Sequence, residues 1–170
     1  MEADLGNPSL DKQFNLRPGP GLTDVLARDA GFAEAVQEVD LRSAVAPRAI
    51  QTSPDGSANG HAGGAPPTVE VLTGGGAERE TSIFPARSIG SMVAQMAQTR
   101  EVVVIDGPPI LSVSGIVPLL SALDGVIIVG RVGSTDVASA HRVTEFLARV
   151  PDVRVLGVVA NGSAEISIED

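Results

Sequence analysis

The stretch EVVVIDGPPILSVSG, Glu101 to Gly115, decides how this sequence is read. Four consecutive apolar residues lead into Asp106, which is followed by Gly107, Pro108 and Pro109. The pattern predicts a buried strand, Val102 to Asp106, that delivers one carboxylate to the edge of a sheet and stops at a turn.

The flanking segments extend this into an alternation of strands and helices. Downstream, Gly115 to Leu123 reads as a short apolar helix, GVIIVGR (Gly125 to Arg131) as a strand, and RVLGVVAN (Arg154 to Asn161) as the last strand. Between those strands, Thr135 to Val150 places Val143, Phe146, Leu147 and Val150 on one helical face, with Pro151 as its stop. Upstream, VEVLT (Val69 to Thr73) is a strand, and Ile83 to Thr99 carries Ile89, Met92, Val93 and Met96 at helical spacing. Strands this continuously apolar, separated by amphipathic helices, predict an α/β fold with a parallel sheet and helices on both faces. Nearer the start, GLTDVLARD (Gly21 to Asp29) and FAEAVQEV (Phe32 to Val39) read as short helices in a loop-rich region.

Composition sets the outer bounds. The 170 residues, 43% hydrophobic, suffice for one domain with a core, expected over residues 1–163. Ile50 to Thr68, IQTSPDGSANGHAGGAPPT, has almost nothing to bury and reads as a flexible insert; AEISIED, Ala164 to Asp170, reads as an acidic tail. A formal net charge of −9 argues against binding nucleic acid or an anionic membrane surface. The absence of cysteine removes disulfides and thiolate chemistry. No window approaches the roughly 18 to 20 apolar residues of a membrane span, and the opening MEADLGNP has no signal-peptide character. The expected location is therefore the cytoplasm.

Ligands in parallel sheets sit beyond the carboxyl ends of the strands. Asp106, Arg131 and Asn161 all fall there, so one crevice could collect them. Each is also an ordinary turn residue in its context, and only their joint placement favours a site. Other chemistries find little support. His61 and His141 have no companion at metal-ligand spacing, and no serine lies in a G-x-S-x-G turn.

Several segments, in order, resemble the bacterial tyrosine kinases of the capsule and exopolysaccharide type, the CpsD/CapB/Wzc family. ADLGNPSLDKQFNLRPGPGLTDVLA (Ala3 to Ala27) is similar to the segment that follows that family's Walker A′ motif, and IDGPPILSVSG to its Walker B strand, usually IDTPP. IFPARSIGSMV (Ile83 to Val93), ALDGVIIVGRVGST (Ala122 to Thr135) and VLGVVANG (Val155 to Gly162) resemble its later segments. IDGPP alone would also suit ParA/MinD-type ATPases; the Ala3 to Ala27 match favours the kinase branch.

The resemblance implies a P-loop NTPase-like fold that uses ATP and Mg²⁺. It gives Asp106 the Walker B role, holding the metal commonly through water, and makes Asp4 the second Walker A′ acid, so that Mg²⁺ would lie against Asp106 and Asp4. Glu2 stands at the first Walker A′ position and Gly6 where the family has Arg. Asn161 occupies the place of an adenine contact, with Arg131 at the neighbouring strand end. The implied partners are a membrane adaptor or polysaccharide co-polymerase, a full-length kinase homologue, or further copies in a homo-oligomer, the first of these placing the chain at the inner face of the membrane.

Two family features are missing from these residues. Walker A precedes Walker A′ by a strand, a helix and a strand, and this sequence begins within the Walker A′ strand. The only lysine, Lys12, has no glycine nearby, and TGGGAERETS (Thr73 to Ser82) lacks the lysine and second glycine of a phosphate loop, which favours a turn. There is also no tyrosine, so self-phosphorylation on tyrosine is chemically excluded. The expectation is an N-terminally truncated or degenerate kinase-like protein that does not bind ATP alone. The alternative is the C-terminal part of a working kinase or co-polymerase whose start is mis-assigned; a ParA/MinD-like remnant is a third reading.

Overall fold

The computed structural model describes residues 1–44, 67–75, 86–112 and 116–162, which form two compact units. The first takes its residues from 1–80 and 104–108, the second from 81–103 and 109–170. Residues 50–66 of the expected insert, residues 76–82 of the glycine-rich stretch, His61 and the tail 164–170 lie outside the described residues.

In chain order the first unit contains α1 (Leu10–Gln13), α2 (Leu22–Ala27), α3 (Phe32–Ala35), β1 (Val36–Asp40), α4 (Leu41–Ala44) and β2 (Thr68–Leu72). β1 and β2 pair antiparallel, with Val36 opposite Leu72 and Asp40 opposite Thr68. Ala3, Leu22, Ala35, Val39, Val71 and Leu72 are its buried apolar residues. The reading of Phe32 to Val39 as one helix is corrected here. FAEA makes a single helical turn, and Val36 then starts a strand. Two tertiary interactions override the helical propensity of the segment. One is the ladder to β2. The other is the Gln37 side chain, whose Oε1 accepts from Arg17 N–H at 3.1 Å while its Nε2 donates to Arg17 C=O at 2.9 Å.

A second correction concerns Val102 to Asp106. The structure forms no continuous strand there, only a parallel bridge between Asp106 and Glu2. Val102 and Val104 are each 74% exposed. An unbroken apolar run becomes a doubly buried strand only where neighbours cover both sides. Among the described residues, the backbone of 104–106 pairs with residues 1–4 alone.

The second unit contains α5 (Ala86–Met96), α6 (Val117–Leu120), β3 (Val126–Arg131), α7 (Val137–Leu147) and β4 (Val155–Asn161). β3 and β4 form the expected parallel pair, ending with Arg131 opposite Asn161. Ile116, Leu120, Leu147 and Val150 make the core under this pair, with Val126, Ile128, Val143 and Phe146 packed against it. α7 begins where the Asp136 carboxylate accepts the Ser139 N–H, an N-cap whose hydrogen bond holds that carboxyl below its ordinary range. α5 buries Ile89, Met92, Val93 and Met96 on one stripe, as their spacing requires.

Gly90 lets α5 approach the α6 region closely, since a Cβ there would stand 3.1 Å from the Ala122 methyl and 3.7 Å from the Pro118 carbonyl oxygen. Replacing it by leucine forces a branched side chain into a filled contact. Gly90→Leu should lower the stability of the second unit by about 1 to 3 kcal/mol in urea unfolding followed by amide signals of that unit. An unchanged midpoint would mean that the contact is loose.

Candidate functional site

The site starts from a short piece of backbone. Residues 1–3 lie between the carboxyl end of β2 and residues 104–106. On one side Glu2 N–H donates to Leu72 C=O at 2.9 Å. On the other, Asp106 N–H donates to Met1 C=O at 2.9 Å, and the Asp106 carbonyl accepts from Ala3 at 2.7 Å and Asp4 at 3.1 Å. This bridge fixes Glu2, Asp4 and Asp106 at one edge of the first unit.

Alternation along an extended chain then sorts the side chains. Ala3 is fully buried on one side, and Glu2 is 1% exposed on the other. The Glu2 carboxylate is satisfied by backbone donors from two separate segments. Oε1 accepts the N–H groups of Ser9 and Leu10 at the start of α1, and Oε2 accepts Gly74 N–H at 2.8 Å. A buried carboxylate persists only with such partners.

The same region contains a second close contact. Leu22 and Thr23 donate their N–H groups to Thr73 and Gly74 C=O at 2.8 and 3.1 Å, while the Asp24 carboxylate accepts Gly21 N–H at 2.9 Å. Gly21 and Gly75 let these backbones touch. A Cβ on Gly21 would fall 2.3 Å from Gly75 N, and Gly75 itself has φ +99°. The described part of the glycine-rich stretch, Thr73 to Gly75, is therefore a docked turn whose Gly74 N–H is committed to Glu2. Beneath it, the Thr23 hydroxyl is buried with no hydrogen-bond partner among the described residues.

Asp106 is the opposite of Glu2. Its residue is exposed, and its carboxyl is pushed above the ordinary range, first by partial desolvation and then by the negative charges of Glu2 and Asp4, against the opposing charge of the Met1 amino group. Asp4 is half-buried, and its Oδ1 lies 3.6 Å from where a Cβ on Gly6 would stand. Two carboxylates held at one edge are suited to an oxygen-seeking cation such as Mg²⁺ that keeps several of its waters. Among the described residues, no group of three or more His, Cys, Asp or Glu side chains is arranged to hold a metal unaided.

Arg131 and Asn161 belong to the second unit, where they are register partners at the carboxyl ends of β3 and β4. Asn161 C=O accepts Val132 N–H at 2.9 Å, and Gly162 turns the chain away with φ +75°. His141 lies exposed on α7 with Nδ1 3.5 Å from Glu145 Oε1. No helix among the described residues is long and apolar enough to cross a membrane.

The tyrosine-protein kinase YwqD of Bacillus subtilis (strain 168) is 25% identical to this chain over 163 residues, which are 95% of this chain and 58% of that protein. Over nearly its whole length the chain is similar to a bacterial tyrosine kinase. Solved kinase domains share its fold. The kinase domain of Escherichia coli tyrosine kinase ETK superposes with a TM-score of 0.71 at 16% identity, covering 99% of this chain and 56% of its own. The VpsO kinase domain gives 0.71 at 20% identity, with 96% and 68% covered. The chimerical protein CapA2B2 gives 0.68 at 17% identity, with 94% and 59% covered. The α/β class expected from the sequence is thus the fold of this chain, which it shares with these kinase domains. No protein-family model matches it. It spans less than two thirds of the length of YwqD.

The clamp around Glu2 was not legible, because its donors are 7, 8 and 72 residues away in sequence. The one available signal was a glutamate two positions before Asp4, with Ser9 opening a helix. The two acids should respond oppositely to neutralisation. Glu2→Gln leaves at least one buried N–H facing an amide donor and should cost about 1 to 3 kcal/mol in urea unfolding. Asp106→Asn should raise the unfolding midpoint at pH 7. A carboxyl whose folded pKa is raised binds its proton more tightly when folded, so its contribution to stability falls as pH rises from the ordinary value through the folded one. The gain from Asp106→Asn should therefore vanish near pH 3, where both states are protonated. A loss at pH 7 would contradict the charge arrangement.

Proposed function

We propose that this chain serves capsular or exopolysaccharide biosynthesis as a tyrosine-kinase-like protein that carries the metal-facing carboxylates of a nucleotide site. The observation that supports the reading is the exposed Asp106, joined by its own backbone to Asp4 and raised in pKa by acidic neighbours. Perturbed carboxyls are common in sites that bind and act. In this reading Asp106 takes Mg²⁺ of ATP through water, and Asp4 is the second acid. Mg²⁺ would supply charge neutralisation at the phosphates.

In this reading the described residues do not complete such a site by themselves. A phosphate cradle needs several free, convergent N–H donors and a cation. The Gly74 N–H donates to Glu2, and the sole lysine, Lys12, lies in α1. The proposed role is therefore non-catalytic when the chain is alone. Its partners would be a membrane adaptor, a polysaccharide co-polymerase or a full-length kinase homologue, with the chain held in the cytoplasm at the inner face of the membrane. The matched lengths favour a second reading, in which the same carboxylates work together with further kinase sequence.

Calorimetric titration of the 170-residue chain with MgATP should give no saturable binding in the micromolar range. A micromolar dissociation constant would overturn the incomplete-site reading.

A further inference from the structure

Asn161 and Gly162 carry a chemistry of their own at the end of the last strand. Asn161 is the exposed final residue of β4, and Gly162 follows it with φ +75°. Among the described residues, neither the Asn161 side-chain amide nor the Gly162 N–H has a hydrogen-bond partner. There is room around the pair as well. Apart from its chain neighbours, a Cβ on Gly162 would meet only Arg131 Cγ, at 4.0 Å.

An asparagine places an electrophilic amide carbon, Cγ, within reach of the backbone nitrogen of the next residue, and glycine leaves that nitrogen unshielded because it has no Cβ. Asn7 and Asn15 lack these conditions. Asn7 precedes Pro8, whose nitrogen carries no hydrogen, and the N–H after Asn15, that of Leu16, donates to Asp11 C=O at 2.8 Å. Asn59 and Gly60 form the same pair but lie outside the described residues.

One bond restrains Asn161. Its C=O accepts Val132 N–H at 2.9 Å and must let go before the chain can rotate and bring the Gly162 nitrogen onto Asn161 Cγ. Strand ends open locally at low cost, so this bond slows the approach without preventing it.

We propose that Asn161–Gly162 is a site of spontaneous covalent modification by deamidation. The Gly162 nitrogen bonds to Asn161 Cγ, the Cγ–Nδ2 bond breaks, and the amide nitrogen leaves as ammonia with the Gly162 proton. Water then opens the cyclic imide. Attack at Cγ gives aspartate, and attack at the main-chain carbon gives isoaspartate, in which the chain continues through the side chain. Either product places a carboxylate beside Arg131, the register partner of Asn161, whose side chain has no ion pair among the described residues. In isoaspartate that carboxylate is the former Asn161 carbonyl, the group that Val132 N–H faces. A neutral strand end thereby becomes an acidic one with the age of the chain, whether or not the carboxylate edge binds nucleotide.

Incubating the full 170-residue chain at mildly alkaline pH and then digesting it with trypsin tests this, because cleavage after Arg154 releases residues 155–170 with Asn161 as their only side-chain amide. Mass spectrometry should show that peptide passing from amide to acid, and an isoaspartyl methyltransferase with labelled S-adenosylmethionine should label it. With one hydrogen bond to release, the folded chain should convert about two- to tenfold more slowly than the free 155–170 peptide, and urea should remove the difference. Asn161→Gln, which keeps an amide but needs a larger ring, should hold its mass. Three results would overturn the proposal: a folded chain that keeps the amide through many conversion times of the free peptide, conversion at Asn7 or Asn15 as fast as at Asn161, or acid gain that persists in Asn161→Gln.

Discussion

One buried carboxylate organises the first unit. Glu2 accepts backbone N–H groups from Ser9, Leu10 and Gly74, and so ties residues 1–3, the start of α1 and the turn after β2 into one assembly. The docked turn at Gly74 in turn receives the start of α2 through Leu22 and Thr23. Removing the acceptor would leave the buried Gly74 N–H and the part-buried Ser9 and Leu10 N–H groups without it. The placement of Asp4 and Asp106 is a consequence, because both hang from the stretch of backbone that Glu2 anchors.

The contrast between Glu2 and Asp106 gives the site its character. They bridge each other across a parallel pairing, yet one carboxylate is enclosed by donors and the other is left among negative charges. An exposed acid held near like charges lowers stability at neutral pH, and such an arrangement is retained where a cation or a partner relieves it. The proposed role of Asp106 toward Mg²⁺ rests on this imbalance.

Much of the second unit could be read from the sequence because its signals are local. The spacing of Ile89, Met92, Val93 and Met96 specified α5, and the runs GVIIVGR and VLGVVAN specified β3 and β4. The first unit was harder, since its elements depend on distant pairing. Helix-forming FAEA gave way to β1 once a partner strand lay alongside, and the apolar run before Asp106 met only a short backbone neighbour. Asp106 was visible as the acid that ends an apolar run, and Asp4 as an acid in a motif. The role of Glu2 as an anchor was hidden, because backbone N–H donors leave no trace in residue identity. Asp106 and the Arg131–Asn161 pair fall in separate units, and within the second unit those two residues stand side by side as the strand ends implied.

The central claim is that Glu2 is an enclosed anchor and Asp106 a charge-crowded, available acid. Carbon-detected NMR titration of the Asp106 carboxyl in the wild-type chain and in Glu2→Gln tests it most directly. The account predicts a midpoint above the ordinary 3.8 in the wild type and a downward displacement once the Glu2 charge is removed. A wild-type midpoint at or below 3.8, or no displacement in a folded Glu2→Gln chain, would contradict it.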